Sequence, residues 1–460
     1  MQMITDGVGK EACEMTSLLI KNGLLVTMNS KKEIFQGDIL VVDGIIKEID
    51  RDIPEGEHLV LDATSQVVIP GLIQPHVHLT QTMFRGIADD LELMDWLKDW
   101  IWPLEGLHSH ESNYCSAMLG IAELIKGGTT SVMDMGTVHH TEAIFQAAQE
   151  SGFRLVGGKC MMDHGKKVPG SLFEKTHQAL DESRRLIKKW HGSAGGRIHY
   201  ALAPRFVVSC TETLLRNTLN LSREYGVKIH THASENREEI RLVEKRTGMR
   251  NIHYLDHLGI LNSQLVLAHC IWLEENEMNR LSESGTHVVH CPSSNMKLAS
   301  GIAKIPELLN MGVHLSLAAD GAPCNNNLDM FREMRHAALI HKARLMDATT
   351  MTAEDVFEMA TRGGAKALGR ERDLGSLEAG KKADVVLIDR SSPHHAPATD
   401  SNLFSWLVYS ACASDVNTTI IDGRIVMRKR VLQTINEIEL VHDSREMISH
   451  MLTRLNGNTS

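Results

Sequence analysis

The sequence predicts an α/β fold: a (β/α)8 TIM barrel carrying a small β-sandwich assembled from both termini. Three observations predict it. Apolar, strand-like runs alternate with helical patterns eight times across the middle of the chain. Hairpin signals with an Asp-Gly turn occur near each end, at Asp43-Gly44 and Asp422-Gly423. Residues able to carry chemistry fall at the C-terminal ends of the strand candidates, where this kind of barrel places its sites.

Composition narrows the classes. The 460 residues are 42% hydrophobic and 23% charged, ordinary for a globular chain long enough for a barrel and a satellite. A net charge of −10 with a pI near 6.2 argues against nucleic acid or an acidic membrane as partner. No run approaches 18 uninterrupted apolar residues, so no membrane span is expected. Met1 to Thr16 lacks the apolar core of a signal peptide and reads as a loose leader before structure begins at Ser17. The eight cysteines form no C-x-x-C pair, which fits free thiols and a cytoplasmic location.

In chain order, 17–66 reads as the N-terminal part of the sandwich, with short strands such as Asp38–Val42 and Ile45–Ile49. The barrel spans 67–370. Its strand candidates are Val67–His78, Thr130–Asp134, Arg154–Cys160, Ile198–Leu202, Lys228–Ala233, Leu265–His269, His287–His290 and Leu315–Asp320. Helical patterns fill the gaps, among them Glu212–Tyr225, Asn236–Thr247 and Leu328–Lys342. The longest connection, Leu79 to Gly128, is rich in apolar and aromatic residues and is expected to cover the site. The sandwich resumes over 371–435, including Leu374–Leu377 and Asp384–Ile388, and 436–460 is a C-terminal helix.

The first strand candidate ends Pro75-His76-Val77-His78, and a strand's period of two puts both imidazoles on one face. The fifth ends His230-Thr231-His232-Ala233-Ser234-Glu235, offering one inward histidine and a carboxylate three residues after His232. The sixth ends Ala268-His269-Cys270 and the eighth Ala319-Asp320-Gly321. Three histidines and one aspartate converging in this way make an N3O set suited to Zn2+ or Fe2+.

The segments PGLIQPHVH, HASE, LAHC and AADGAPCNNNLDMF resemble the amidohydrolase superfamily, in its cytosine/adenosine deaminase-like branch, over essentially the whole chain. The resemblance implies one divalent metal ion per chain, zinc ahead of iron, with His76, His78, His232 and Asp320 as ligands. It also implies acid/base and polarising roles for Glu235 and His269. The chemistry follows on its own terms. A divalent metal brings the pKa of water towards about 7; Asp320 can take the water proton, Glu235 can protonate a ring nitrogen, and His269 can orient the water. The reaction class is hydrolytic replacement of an exocyclic amine on an electron-poor ring.

Two sets of residues bear on the ring. Phe84–Leu91, Met94–Leu97, Lys297–Ala303 and Asn325–Asp329 resemble deaminases of 5′-deoxyadenosine, methylthioadenosine and S-adenosylhomocysteine, which implies that Trp96 and Glu105 hold the nucleoside. Gln81 and Arg205, within Pro204-Arg205-Phe206, resemble guanine deaminases, where such residues contact the base. Adenosine-type members carry a histidine in place of Arg205. The expectation is therefore an aminohydrolase of a purine nucleoside. Guanine or another oxo-purine is the alternative, an s-triazine the third, and a non-catalytic scaffold the rival of another class. By the same resemblance the protein is expected to form a homo-oligomer.

Overall fold

The computed structural model describes residues 17–165, 168–397, 399 and 402–457. The leader at Met1–Thr16 lies outside them. Eight parallel strands form the barrel: Leu72–Val77, Thr129–Met135, Arg154–Gly158, Ile198–Pro204, Lys228–Ala233, Leu265–His269, His287–His290 and His314–Leu317. They pair in chain order. The ring closes between its first and last members through one parallel bridge, Val77 to Asp320, where the Asp320 N–H donates to the His76 carbonyl at 3.2 Å.

Three strand candidates differ from expectation, each for a local reason. The run Val67–His78 is two strands. Gln66–Pro70 belongs to the terminal sheet, and the barrel strand starts only at Leu72. Gly71 separates them, and a Cβ there would lie 2.1 Å from Thr130 Oγ1, so only glycine lets the chain pass between the two bodies. The run Arg154–Cys160 breaks after Gly158, whose backbone lies so close to the fourth strand that a Cβ would stand 1.8 Å from the Ala201 carbonyl oxygen. The eighth strand ends at Leu317, and Ala318–Asp320 peels away towards the first strand.

The helices follow their sequence signals. Glu212–Tyr225 starts where the Thr211 side chain accepts from the Leu214 N–H and stops at Gly226. It buries Leu214, Leu215, Leu219 and Leu221 on one face. Arg237–Thr247 is capped by Asn236, and the predicted helix from Leu328 runs over Met330–Leu345, capped by Asp329. The long connection after the first strand is largely helical, with Leu79–Phe84, Leu93–Glu105 and His110–Lys126 as its ordered parts. Trp96 and Trp102 are buried in it.

Both termini build one nine-stranded mixed sheet. Ser17–Val26, Ile34–Val42, Ile45–Asp50, Leu59–Asp62 and Gln66–Pro70 come from the N-terminal side, and Val385–Asp389, Val416–Ile421, Arg424–Arg428 and Val431–Leu432 from the other. The sheet curls around its own apolar core of Leu18, Ile20, Leu25, Val41, Val385 and Ile420. The curl brings the two Asp-Gly turns together, since a Cβ on Gly44 would lie 2.7 Å from the Asp422 carbonyl oxygen. Leu374–Leu377, expected as a strand, is bent and irregular instead. Arg154 of the third barrel strand, 1% exposed, donates to both carboxylate oxygens of Asp384 at 2.9 and 2.8 Å and so ties the sheet to the barrel. The C-terminal helix, Glu437–Gly457, packs on His110–Lys126. Among the described residues no helix is long and apolar enough to cross a membrane.

Candidate active site

The C-terminal mouth of the barrel gathers the residues singled out from the sequence. His76 is the last residue but one of the first strand and His78 follows that strand, while Asp320 arrives from the opposite side of the closing bridge. His76 Nε2 lies 3.2 Å and His78 Nε2 3.4 Å from the same oxygen, Asp320 Oδ1. Of the two histidines on the fifth strand, His232 faces this group and His230 supports it. His230 Nε2 stands 2.7 Å from His76 Nδ1.

The tautomers can be read from the partners. A carbonyl oxygen only accepts, so His78 Nδ1–H must donate to Met135 O at 3.1 Å and His232 Nδ1–H to Arg205 O at 2.7 Å. Burial keeps both imidazoles neutral, His232 far below the usual histidine pKa and His78 down to about 3. Their two Nε2 atoms therefore carry lone pairs, and these face each other across 3.2 Å. The Asp320 carboxylate faces the same space. Burial opposes its charge, yet the imidazoles of His76 and His269 hold its pKa well below the carboxylate range. Converging lone pairs with no proton between them form a donor set for a cation. The groups His76–His78–Asp320 and His76–His232–His269 each bring their ligand atoms within 4.8 Å of one another, so the residues fit a divalent metal.

Glu235 and His269 flank this group. Their nearest atoms, Glu235 Oε2 and His269 Nε2, are 3.6 Å apart, and His269 Nε2 is 3.9 Å from Asp320 Oδ2. Burial pushes the Glu235 pKa up to about 7, against the pull of His269, so this carboxyl can carry a proton at neutral pH. Burial acts against a proton on His269, but the carboxylates of Glu235 and Asp320 outweigh it and raise its pKa. Ser234, His269, Cys270 and Asp320 all hold positive φ, at 54, 73, 48 and 66°. Such backbone costs about 1–3 kcal/mol at each non-glycine position. These residues share one mouth because the strands end there in sharp left-handed turns that aim the side chains inward.

Support comes from residues the sequence reading passed over. Ser294 Oγ donates to Asp320 Oδ2 at 2.7 Å, and Asn295 Oδ1 lies 2.9 Å from His269 Nδ1. Both follow the seventh strand, whose polar Pro292–Asn295 stretch was the available signal. Asp134, on the second strand, accepts from the Leu79 N–H at 2.8 Å and fixes the chain just after His78.

A cavity opens above these groups, walled by Gln81, Trp96, Arg205, Phe206 and Leu298, among others. Glu105 stands behind that wall. It accepts from Gln81 Nε2 at 2.7 Å and from Arg205 Nη1 at 2.6 Å. Trp96 is 4% exposed, and its indole N–H has no partner among the described residues.

A sequence profile described as "Amidohydrolase family" matches residues 67–426. The chain is 43% identical over 405 residues to the 5′-deoxyadenosine deaminase of Methanothermobacter thermautotrophicus, covering 88% of this chain and 92% of that one. It is 40% identical to the 5-methylthioadenosine/S-adenosylhomocysteine deaminase of Syntrophomonas wolfei, covering 94% and 98%. Among solved structures, an adenosine deaminase from Xanthomonas campestris with bound zinc superposes with a TM-score of 0.88 at 30% identity, covering 95% and 98%. The guanine deaminase of E. coli superposes with a TM-score of 0.80 at 26% identity, covering 90% and 98%.

Proposed function

The chain belongs to the amidohydrolase family, and from that membership we propose that it is a metal-dependent hydrolytic deaminase of purine nucleosides, acting on 5′-deoxyadenosine, methylthioadenosine or S-adenosylhomocysteine. The observation that carries the proposal is the pair of facing Nε2 lone pairs of His78 and His232, with Glu235 and His269 within reach. The deaminases named above support the substrate class.

The reaction replaces the exocyclic amine by oxygen. Water adds to the ring carbon, the C–N bond breaks, and nitrogen leaves as ammonia. His76, His78, His232 and Asp320 would hold the metal, zinc in our proposal, which supplies Lewis acidity that makes hydroxide accessible near neutral pH. Glu235, protonated near pH 7 by its burial, gives its proton to the ring nitrogen next to the reacting carbon, and the carbon becomes electrophilic. Asp320 takes a proton from the attacking water, and His269, fixed through Asn295, orients that water. The proton then returns to the departing nitrogen. Trp96 offers its indole N–H to the nucleoside, and the apolar wall of Leu93, Leu97, Phe206 and Leu298 suits the uncharged 5′ ends of 5′-deoxyadenosine and methylthioadenosine better than the zwitterionic one of S-adenosylhomocysteine.

The guanine reading rested on Arg205 taking a carbonyl oxygen, with Gln81 beside it. Arg205 instead gives its guanidinium to Glu105, which also receives Gln81, so both residues are engaged within the wall. This favours adenosine-type substrates, with Gln81, Glu105 and Arg205 shaping the pocket together. A retired scaffold would have no need to keep two imidazoles lone pair to lone pair in its core. A homo-oligomer and a cytoplasmic location complete the proposal, the first by family analogy and the second from the scattered cysteines. The test is ammonia release by zinc-loaded protein from the three adenosine derivatives, guanine and a triazine. Turnover of guanine ahead of 5′-deoxyadenosine would reverse the substrate order, and release from none of them would remove the deaminase reading.

A further inference from the structure

The opposite mouth of the barrel holds a second polar cavity, between the N-terminal ends of the fourth, fifth, seventh and eighth strands. His199, Lys228, His287, His314, Lys366 and Arg370 line it, and it opens to solvent with a volume of about 530 Å³. Lys228, His287 and His314 are the first residues of their strands, while His232 lies near the other end of the first of these strands and Asp320 past the other end of the last. The two sites are separate.

What sets this cavity apart is positive charge that the protein does not answer. Lys228 Nζ donates to the Ser263 carbonyl at 2.9 Å and meets no carboxylate at ion-pair distance among the described residues. The Lys366 ammonium forms no ion pair or hydrogen bond among them, and the residue stands exposed at the rim. Glu371 is the single acid in the lining. A network kept for stability alone would pair its charges, as Arg370 does with Asp373 at 2.8 Å. His287 is 3% exposed, and its Nε2 has no hydrogen-bond partner among the described residues, although a buried polar atom of this kind is nearly always satisfied. Burial lowers the pKa of His287, and the neighbouring His314, Lys228 and Lys366 lower it further. Burial and the same two lysines act on His314. An anion bound among these groups would reverse the electrostatic part of both shifts.

We propose that this cavity binds a phosphate-type dianion, either free inorganic phosphate or the phosphate of a nucleoside monophosphate. Two ammonium groups and an imidazole arriving from two strands and a helix match a tetrahedral ion with acceptors on every side better than a flat carboxylate with two. The cavity also has room for the rest of a nucleotide. Bound there, the ion would join the fifth strand through Lys228, the seventh through His287 and the helix Gly364–Ala367 through Lys366. It would bind alongside the deamination substrate without competing for its place. This inference does not depend on the deaminase reading.

The experiment is isothermal titration and thermal melting of the zinc-loaded full chain with inorganic phosphate and with uridine 5′-monophosphate, which lacks a purine, at ionic strength matched with chloride. One saturable site per chain and a rise in Tm are expected. Lys366→Ala should bind at least tenfold more weakly while releasing ammonia at the wild-type rate, and Lys228→Met should weaken binding likewise. Equal affinity for both probes identifies free phosphate as the ligand, and affinity at least tenfold higher for the nucleotide identifies the organic source. Absence of saturable binding beyond the chloride control would overturn the proposal. So would unchanged affinity in both variants, or displacement of the anion by 5′-deoxyadenosine.

Discussion

Arg205 and Glu105 form a buried ion pair beside the substrate cavity, with Nη1 2.6 Å from Oε2 and Nη2 3.4 Å from Oε1. Both side chains are within a few per cent of full burial, and they lie on opposite sides of the cavity wall in sequence terms, one on the lid and one past the fourth strand. The guanidinium that the sequence offers to a substrate is therefore first of all the partner of a carboxylate.

Breaking that pair from one side should be worse than removing it. Arg205→Met and Glu105→Met each leave an uncompensated buried charge, which costs about 3–5 kcal/mol. The double variant should recover at least half of either loss. Calorimetric melting of the four proteins measures the coupling, and simply additive losses would show that the two residues do not act as a unit.

Glu235 serves as proton carrier in the proposed reaction and is not among the proposed ligands. Glu235→Gln should keep its full metal content and lose at least about 10²-fold in kcat, a usual acid/base contribution. Elemental analysis beside steady-state rates checks both halves. A variant that turns over normally, or one that loses its metal, would contradict the role.

Removing the metal should lower both activity and Tm, because the facing lone pairs of His78 and His232 would then repel each other across 3.2 Å. Ser294→Ala frees one oxygen of Asp320 and should weaken metal binding about 10–100-fold, the usual effect of losing a partner behind a ligand. Competition with a chelator of known affinity reads this directly.

Asp134 gives a pH signature. Burial pushes its pKa up to about 7 in the fold, while the unfolded chain ionises near the ordinary value of 3.8. Between those values the folded state holds the extra proton, so stability falls as pH rises and levels off above about 7. Asp134→Asn keeps an acceptor for the Leu79 N–H without this penalty. Between pH 5 and 8 the variant should therefore gain on the wild type by up to about 2–3 kcal/mol, two pH units at 1.36 kcal/mol each. Melting curves of both proteins across that range test it, and parallel curves would remove Asp134 as the source.

The residues that could be read from the sequence are those at which local chemistry and strand periodicity coincide. His76, His78, His232, His269 and Asp320 are ligand-type side chains at the ends of apolar runs, and the structure gathers all five at one mouth. The break at Gly71 was hidden because Val67–Ile69 is equally apolar whether it pairs in the terminal sheet or in the barrel. Ser294 and Asn295 escaped notice because they act by holding other side chains, and neither type suggests a metal. Glu105 and Arg205 stand one hundred residues apart, so only the folded chain reveals that they meet. The basic cavity was illegible for the same reason, its members being single residues at the starts of separate strands and in the helix Gly364–Ala367 and just beyond it.

The one-bridge closure between Val77 and Asp320 makes the barrel a ring with a seam. Two proposed ligands sit on one side of that seam and a third on the other, joined by more than 240 residues of intervening chain. An ion held by all of them is thus a clasp as well as a reagent. Ring closure brings together parts of the chain that are synthesised far apart in time, so the pocket is completed only when the last strand docks on the first. Amide exchange at the Asp320 N–H would report that event, with the clasp fastened or open.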